Sequence, residues 1–315
     1  RDQMIEAIGR QTILGAGGAI GTPLAKELRG YTDKIRLVSR HPQPVNATDE
    51  LFPADLSVAT QVNEAVKDSD VVYLTVGFKY SRKVWRVRWP RLMRAVINAC
   101  TTHQAKLVFF DNVYMYDPDH LGRMSETTSV RPTSQKGRTR AVVAQMLMKH
   151  VEQGNLTALI ARSADIYGPR NSMLVEMVYK RLARRKRALW IANVDKTYTP
   201  TFTSDAARAT AMLGNTPDAY NQVWHLPTDR TPLSVRKWIE MFAENLGVDS
   251  KVTVLPTWSL SVLGLFMPIM REIKELSYQY DRDYIFDSRK FEQRFKVTPT
   301  APDKGVKWIV DQVKV

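Results

Sequence analysis

The turn Gly15-Ala16-Gly17-Gly18-Ala19-Ile20-Gly21 sits between the apolar pair Ile13-Leu14 and a segment with helical spacing from about Ile20 to Leu28. Strand, glycine turn and helix in that order make a cradle for the diphosphate of a dinucleotide. Gly15 permits the tight turn, Gly18 lets the backbone approach the diphosphate, and Gly21 allows the helix to pack close. With Gly17, Ala19 and Ile20 they turn free N–H groups at the helix N-terminus toward the anion. The next apolar run, Ile35-Arg36-Leu37-Val38, ends in Ser39-Arg40. A carboxylate at that place would repel a 2′-phosphate, whereas Arg40 can pair with it bidentately and stack on adenine. The expectation is NADP in preference to NAD, against the plainer alternative of an exposed arginine at a strand end.

The surrounding elements must hold that turn. Short apolar runs at Val71 to Val76, Lys106 to Phe110 and Leu156 to Ala161 alternate with helical stretches at Val58 to Lys67, Val84 to His103 and Gln135 to Glu152. That rhythm predicts an α/β fold built on a doubly wound parallel sheet with helices on both faces. Past Gly168-Pro169 the rhythm loosens. Helices are expected at Met173 to Arg185, Asp205 to Leu213, Ser234 to Asn245, Leu260 to Leu276, Ser288 to Phe295 and Asp303 to Val313, with short strands at Ala188 to Ile191 and Val223 to Leu226. The expected organisation is a dinucleotide-binding domain over residues 1–168 and a smaller mixed α/β C-terminal lobe over 169–315 that binds substrate. Segments near 195–225 are expected to return to the main sheet.

Composition limits the remaining classes. The 315 residues are 44% hydrophobic and 25% charged, enough for a large core. One cysteine and five histidines without metal-ligand spacing argue against a disulfide or a zinc site, so no metal is expected. Lys and Arg number 46 against 32 Asp and Glu, a net charge of +14, which attracts phosphate-bearing partners. The basic runs Arg82 to Trp89 and Lys180 to Arg187 read as solvated helix faces, and no nucleic-acid-binding motif accompanies them. The most apolar window, Trp258 to Met270, is about half a membrane span. No leader pattern opens the chain, and the expectation is a cytoplasmic protein with neither a membrane nor a specific nucleic acid as partner. Trp85, Trp89, Trp190 and Cys100 read as core.

Together the motifs resemble the extended short-chain dehydrogenase/reductase superfamily, in its NAD-dependent epimerase/dehydratase branch, with a Rossmann-like nucleotide domain. Besides the glycine turn, Asp55-Leu56 is similar to the family's adenine-contacting dipeptide, and Thr75-Val76-Gly77 closes the fourth strand. Arg162-Ser163-Ala164-Asp165-Ile166-Tyr167-Gly168-Pro169 resembles the segment after the sixth strand, and by that resemblance Ala164 and Tyr167 lie at the cofactor. Asp205 to Ala209 and Trp224 to Pro227 are similar to landmarks of the C-terminal lobe.

The family's chemistry rests on Ser or Thr, then Tyr and Lys spaced as YxxxK. In Asp111-Asn112-Val113-Tyr114-Met115-Tyr116, Asn112 stands at the Ser/Thr place, while Lys136 and Arg140 stand at the Tyr and Lys places. The resemblance therefore implies an NAD(P)-dependent oxidoreductase or epimerase/dehydratase with an altered triad, acting by hydride transfer at a carbinol or carbonyl carbon of a small molecule. In that reading Lys136 exchanges the proton, because the charge of Arg140 and partial burial disfavour its ammonium. Arg140 holds the ribose or diphosphate, Asn112 donates to a substrate oxygen, and Tyr114 is the reserve donor, with Tyr116 and Ser134 behind it. Arg170, Lys180 and Arg184 are the candidates for gripping a substrate diphosphate. The alternatives are a non-catalytic NADP-binding redox sensor or scaffold, or a mere i, i+4 pair on a helix face. The family's long helices, here those starting near Val84 and Gln135, imply a homodimer.

Overall fold

The strands of the main sheet read as unbroken apolar runs because both of their faces are covered. The computed structural model describes residues 9–315. In chain order these form β1 (Gln11–Leu14), α1 (Gly21–Leu28), β2 (Ile35–Ser39), β3 (Glu50–Pro53), α2 (Ala59–Val66), β4 (Val71–Leu74), α3 (Arg82–His103), β5 (Lys106–Asp111), α4 (Gln135–Glu152) and β6 (Ala158–Arg162). There follow β7 (Ile166–Tyr167), α5 (Lys180–Ala183), β8 (Ala188–Ile191), β9 (Thr201–Phe202), α6 (Thr203–Gly214), β10 (Val223–His225), α7 (Val235–Leu246) and β11 (Val252–Leu255). The chain closes with α8 (Thr257–Leu263), α9 (Pro268–Glu275), α10 (Arg289–Phe295) and α11 (Pro302–Gln312).

Seven parallel strands lie in the order β10-β6-β5-β4-β1-β2-β3. Leaving β1, the chain winds first toward β3 and then, from β4, in the opposite direction, so the crevice between the C-terminal ends of β1 and β4 is the switch point where such sheets bind ligands. One face of the sheet is sealed by α2, α3 and α4, with Trp85, Trp89, Met93 and Leu147 in its core. The other is sealed by α1, α6 and α10, around Leu24, Tyr73, Trp224 and Phe291. The third core, around Trp190, Trp238, Tyr284 and Phe286, belongs to the C-terminal lobe, where β8 pairs with β11 and β7 with β9.

Several elements differ from the sequence expectation. The single helix expected over Leu260 to Leu276 is two, α8 and α9, because Pro268 lacks an N–H and serves as the first helical residue of α9. Met173 to Arg185 is a wide turn of π type over Leu174–Tyr179 before α5. Strand β3 escaped notice because it is a largely exposed edge carrying Glu50 and ending in Pro53. The return of the chain to the main sheet is made by β10, which pairs with β6.

Candidate functional site

The loops after β1, β2 and β4 enclose a cavity of ≈ 410 Å³ lined by Gly15, Gly17, Gly18, Ser39, Arg40, Asp55, Leu56, Thr75, Val76 and Gly77. Gly15 has φ +99°, and a Cβ there would lie 2.7 Å from the Val76 nitrogen, so this position admits only glycine. Beside Gly17 and Gly77 an added Cβ would meet nothing within 4 Å, which is room of the kind a diphosphate occupies. The N–H groups of Gly17, Ala19, Ile20 and Gly21 have no acceptor among the described residues, as expected for a helix start kept for an anion. The residues present thus fit a dinucleotide.

At the far end of this cavity Arg40 is exposed, 3.7 Å from an oxygen of Asp55. The hydroxyl and amide of Ser57 hold the Asp55 carboxyl below the usual range, with Arg40 a lesser contributor. Arg88 of α3 brings a second guanidinium to the same end, a residue that no local motif marks. Arg170, offered by the sequence to a substrate diphosphate, instead donates to the carbonyl oxygen of Gly17 at 2.5 Å and reaches that of Gly18 at 3.3 Å.

A second cavity of ≈ 330 Å³ lies beyond the ends of β5 and β6. Asn112, Tyr114, Ser163, Ala164 and Asp165 line it from the sheet side, Tyr80 from the loop just before α3, and Met173, Met177, Ile273 and Tyr280 from the C-terminal lobe. Asn112 Oδ1 accepts the Tyr114 N–H at 3.1 Å, which pins the turn, and the Tyr80 hydroxyl donates to that of Tyr114 at 3.5 Å. Gly137 lets the first turn of α4 press on this loop, since a Cβ there would fall 2.2 Å from the Tyr114 carbonyl oxygen. Burial pushes the Tyr114 hydroxyl well above its ordinary value.

The two cations at the YxxxK positions do not face each other's charge. Lys136 is fully buried, with Nζ 2.5 Å from Glu272 Oε2, 3.2 Å from Glu275 Oε2 and 4.4 Å from the centre of the Tyr80 ring. It lines neither cavity. Arg140 turns toward Asp111, donating from Nε at 3.0 Å and Nη2 at 2.7 Å to Oδ1, and its guanidinium lies over the Trp89 ring. Arg162 takes the other Asp111 oxygen at 3.0 Å. Arg140 is thus neutralised inside the protein and does not line either cavity, contrary to the expectation that it reaches the cofactor. Of the remaining sequence candidates, Ala164 lines the second cavity, whereas Tyr167 is buried against Phe202 and Trp238 and faces neither. Lys180 pairs with Glu176 at 2.6 Å and Arg184 is exposed, both away from the second cavity.

Sequence reasoning passed over the side chain of Asp165. Its Oδ2 accepts the hydroxyls of Tyr198 at 2.8 Å and Tyr280 at 2.9 Å, and its N–H donates to the Tyr284 hydroxyl at 2.8 Å. Burial raises the carboxyl above the usual range, and the tyrosine hydroxyls pull it back. These tyrosines lie 33 to 119 positions away in the chain, so no local pattern announces them.

A doubly wound sheet with open amides at its switch point and a covering C-terminal lobe defines a dinucleotide-binding α/β protein. Residues 12–225 match the model of the NAD dependent epimerase/dehydratase family, and the chain belongs to that family. Among solved structures it is similar to the UDP-glucose 4-epimerase of Thermus thermophilus in complex with NAD, at 17% identity and a TM-score of 0.76 over 96% of this chain and 98% of that one. It is similar too to MoeE5 in complex with UDP-glucose and NAD, at 20% identity and a TM-score of 0.76 over 96% and 99% of the two chains. UDP-glucuronic acid 4-epimerase of Bacillus cereus in complex with NAD gives 17% identity and a TM-score of 0.75 over 95% and 94%. No curated protein matches the chain. Among the described residues no helix is long and apolar enough to cross a membrane.

Proposed function

We propose that the protein binds NADP, with NAD as the weaker alternative, and catalyses hydride transfer at a carbinol or carbonyl carbon of a small molecule, as an oxidoreductase or as the redox step of an epimerase or dehydratase. The observation that carries this reading is the set of amides of Gly17, Ala19, Ile20 and Gly21 without an acceptor among the described residues, beside the open space at Gly17 and Gly77 at the sheet's switch point. When bound there, the nucleotide supplies a hydride acceptor or donor. The chain's own residues do the rest. Arg40 and Arg88 neutralise a 2′-phosphate at the adenosine end. The Asn112 amide donates to the reacting oxygen and the Tyr114 hydroxyl carries the proton, a reading supported by both residues lining the second cavity. Lys136 and Arg140 act as positioning residues, because their charges are committed to Glu272, Glu275 and Asp111.

That commitment of both cations also favours a second reading, a nucleotide-binding redox sensor without turnover. Exposed Val87 on α3 and Val142 on α4, helices that pack side by side, support a homodimer formed through them.

Titration of the purified protein with NADPH and NADH, read by thermal shift and calorimetry, tests the assignment. NADPH is expected to bind more tightly, and Arg40→Ala to weaken it by about tenfold or more while leaving NADH nearly unchanged, the loss of one charge-assisted contact. Absence of binding by either nucleotide at millimolar concentration overturns the reading. A panel of carbonyl substrates followed by nicotinamide absorbance then separates enzyme from sensor.

A further inference from the structure

The cavity beside Tyr114 carries an unusual charge pattern. No Lys, Arg or His lines it; its ionisable acids are Asp111 and Asp165. Asp111 is neutralised twice over, by Arg140 at 2.7 Å and Arg162 at 3.0 Å. Asp165 has no ion pair among the described residues: its partners are the neutral hydroxyls of Tyr198 and Tyr280. A carboxylate taken out of water without a counter-charge is costly, and a cation brought by a ligand removes that cost. The rings of Tyr114 and Tyr280 line the same cavity, and aromatic faces attract organic cations; the Tyr80 ring beside them already has Lys136 Nζ 4.4 Å from its centre. Met173, Met177 and Ile273 supply the apolar remainder. A phosphate or carboxylate entering here would meet a buried negative charge and no donor of positive charge.

Taking the second cavity as the substrate site of the function proposed above, we infer that the substrate carries an organic ammonium group, seated against the Asp165 carboxylate among the tyrosine rings, and carries no phosphate. The cavity's apolar and tyrosine walls around one carboxylate suit an amino alcohol or amino ketone of modest size. Arg170 and Lys180 of the C-terminal lobe are engaged elsewhere, Arg170 at the glycine turn and Lys180 with its own Glu176.

The test uses the protein loaded with NADP and three matched probes: phenylethanolamine, its uncharged isostere phenylpropanol, and its anionic isostere mandelate, with UDP-glucose as a fourth ligand. Calorimetry is expected to show phenylethanolamine binding at least about tenfold more tightly than phenylpropanol, with mandelate and UDP-glucose unbound. Asp165→Asn, which keeps the shape and an acceptor, should bring the amine down to the level of the neutral probe while NADP affinity is retained. Equal binding of amine and neutral probes to the unaltered protein overturns the inference without recourse to any variant, as does tight binding of UDP-glucose. If Asp165→Asn instead changes the ratio of NADP+ to NADPH affinity and leaves the probes alike, the carboxylate serves the nicotinamide and the inference again fails. Failure of NADP itself to bind would strike the functional reading beneath it, which is a separate result.

Discussion

A buried guanidinium cannot shed its charge, so Arg140 persists in the interior only because Asp111 meets it with a doubly hydrogen-bonded oxygen and Trp89 covers its face. Arg162 shares that carboxylate and, through Nη1, reaches the Tyr116 hydroxyl at 3.2 Å. Tyr116 in turn lies 2.5 Å from Nε2 of His225, a fully buried ring stacked on Phe286. Burial first, and the Arg162 charge second, push this imidazole well below its ordinary value. The sign of the consequence is fixed: the unfolded chain takes up a proton at His225 near about pH 6.5, while the folded chain refuses it, so stability is lost as pH falls below that point. Urea unfolding should therefore show the native protein losing about 1–2 kcal/mol more between about pH 7 and about pH 5 than His225→Asn does. Glu126, whose carboxyl is raised by burial, works in the opposite direction and is common to both proteins. Equal slopes in the two proteins would remove His225 from this role. In the sequence, His225 carried only a family resemblance; its ring partners come from Tyr116 and Phe286, too distant in the chain to leave a pattern.

At the level of elements, α9 is held by charge as well as by Met270 and Ile273, which pack on the edge of the C-terminal core. None of its residues is buried, yet Glu272 and Glu275 lie on the face turned to Lys136, and Glu275 also accepts the Gln135 N–H at the start of α4. Ile273 of the same helix lines the second cavity, so one ion cluster positions a wall of the proposed substrate site. Removing Lys136 leaves Glu275 without an ion pair among the described residues and Glu272 with Arg82 alone, their side chains 10% and 15% exposed. Lys136→Ala is expected to cost about 3 kcal/mol in urea unfolding and to make α8 and α9 sensitive to limited proteolysis. Adding Glu272→Gln and Glu275→Gln should recover most of that loss. A variant of unchanged stability that loses turnover would return Lys136 to the role of proton donor. The helix pair was readable as an apolar stretch in Trp258 to Met270, but its break at Pro268 and its pairing with Lys136 were not, because a carboxylate 136 positions away has no local correlate.

For the whole molecule, the net charge of +14 coexists with an apolar tip formed by α8 and the turn that joins it to α9. Trp258 is 70% exposed, Leu265 70% and Phe266 81%, so these side chains contribute almost nothing to the folded core. Replacing Leu265 and Phe266 together by serine should change the unfolding free energy in urea by no more than about 0.5 kcal/mol, the range of ordinary surface changes; a larger loss would mean that the tip packs in solution. The sequence by itself determined what depends on near neighbours. It set the alternation of apolar runs and helices that makes the doubly wound sheet, the glycine turn that only a φ such as Gly15's allows, and the replacement of the familiar Tyr and Lys by Lys136 and Arg140. The tertiary structure decided where those charges go. Coulomb attraction and desolvation act through space, so Lys136 was claimed by α9, Arg140 by β5, and Asp165 was left among tyrosines without a cation.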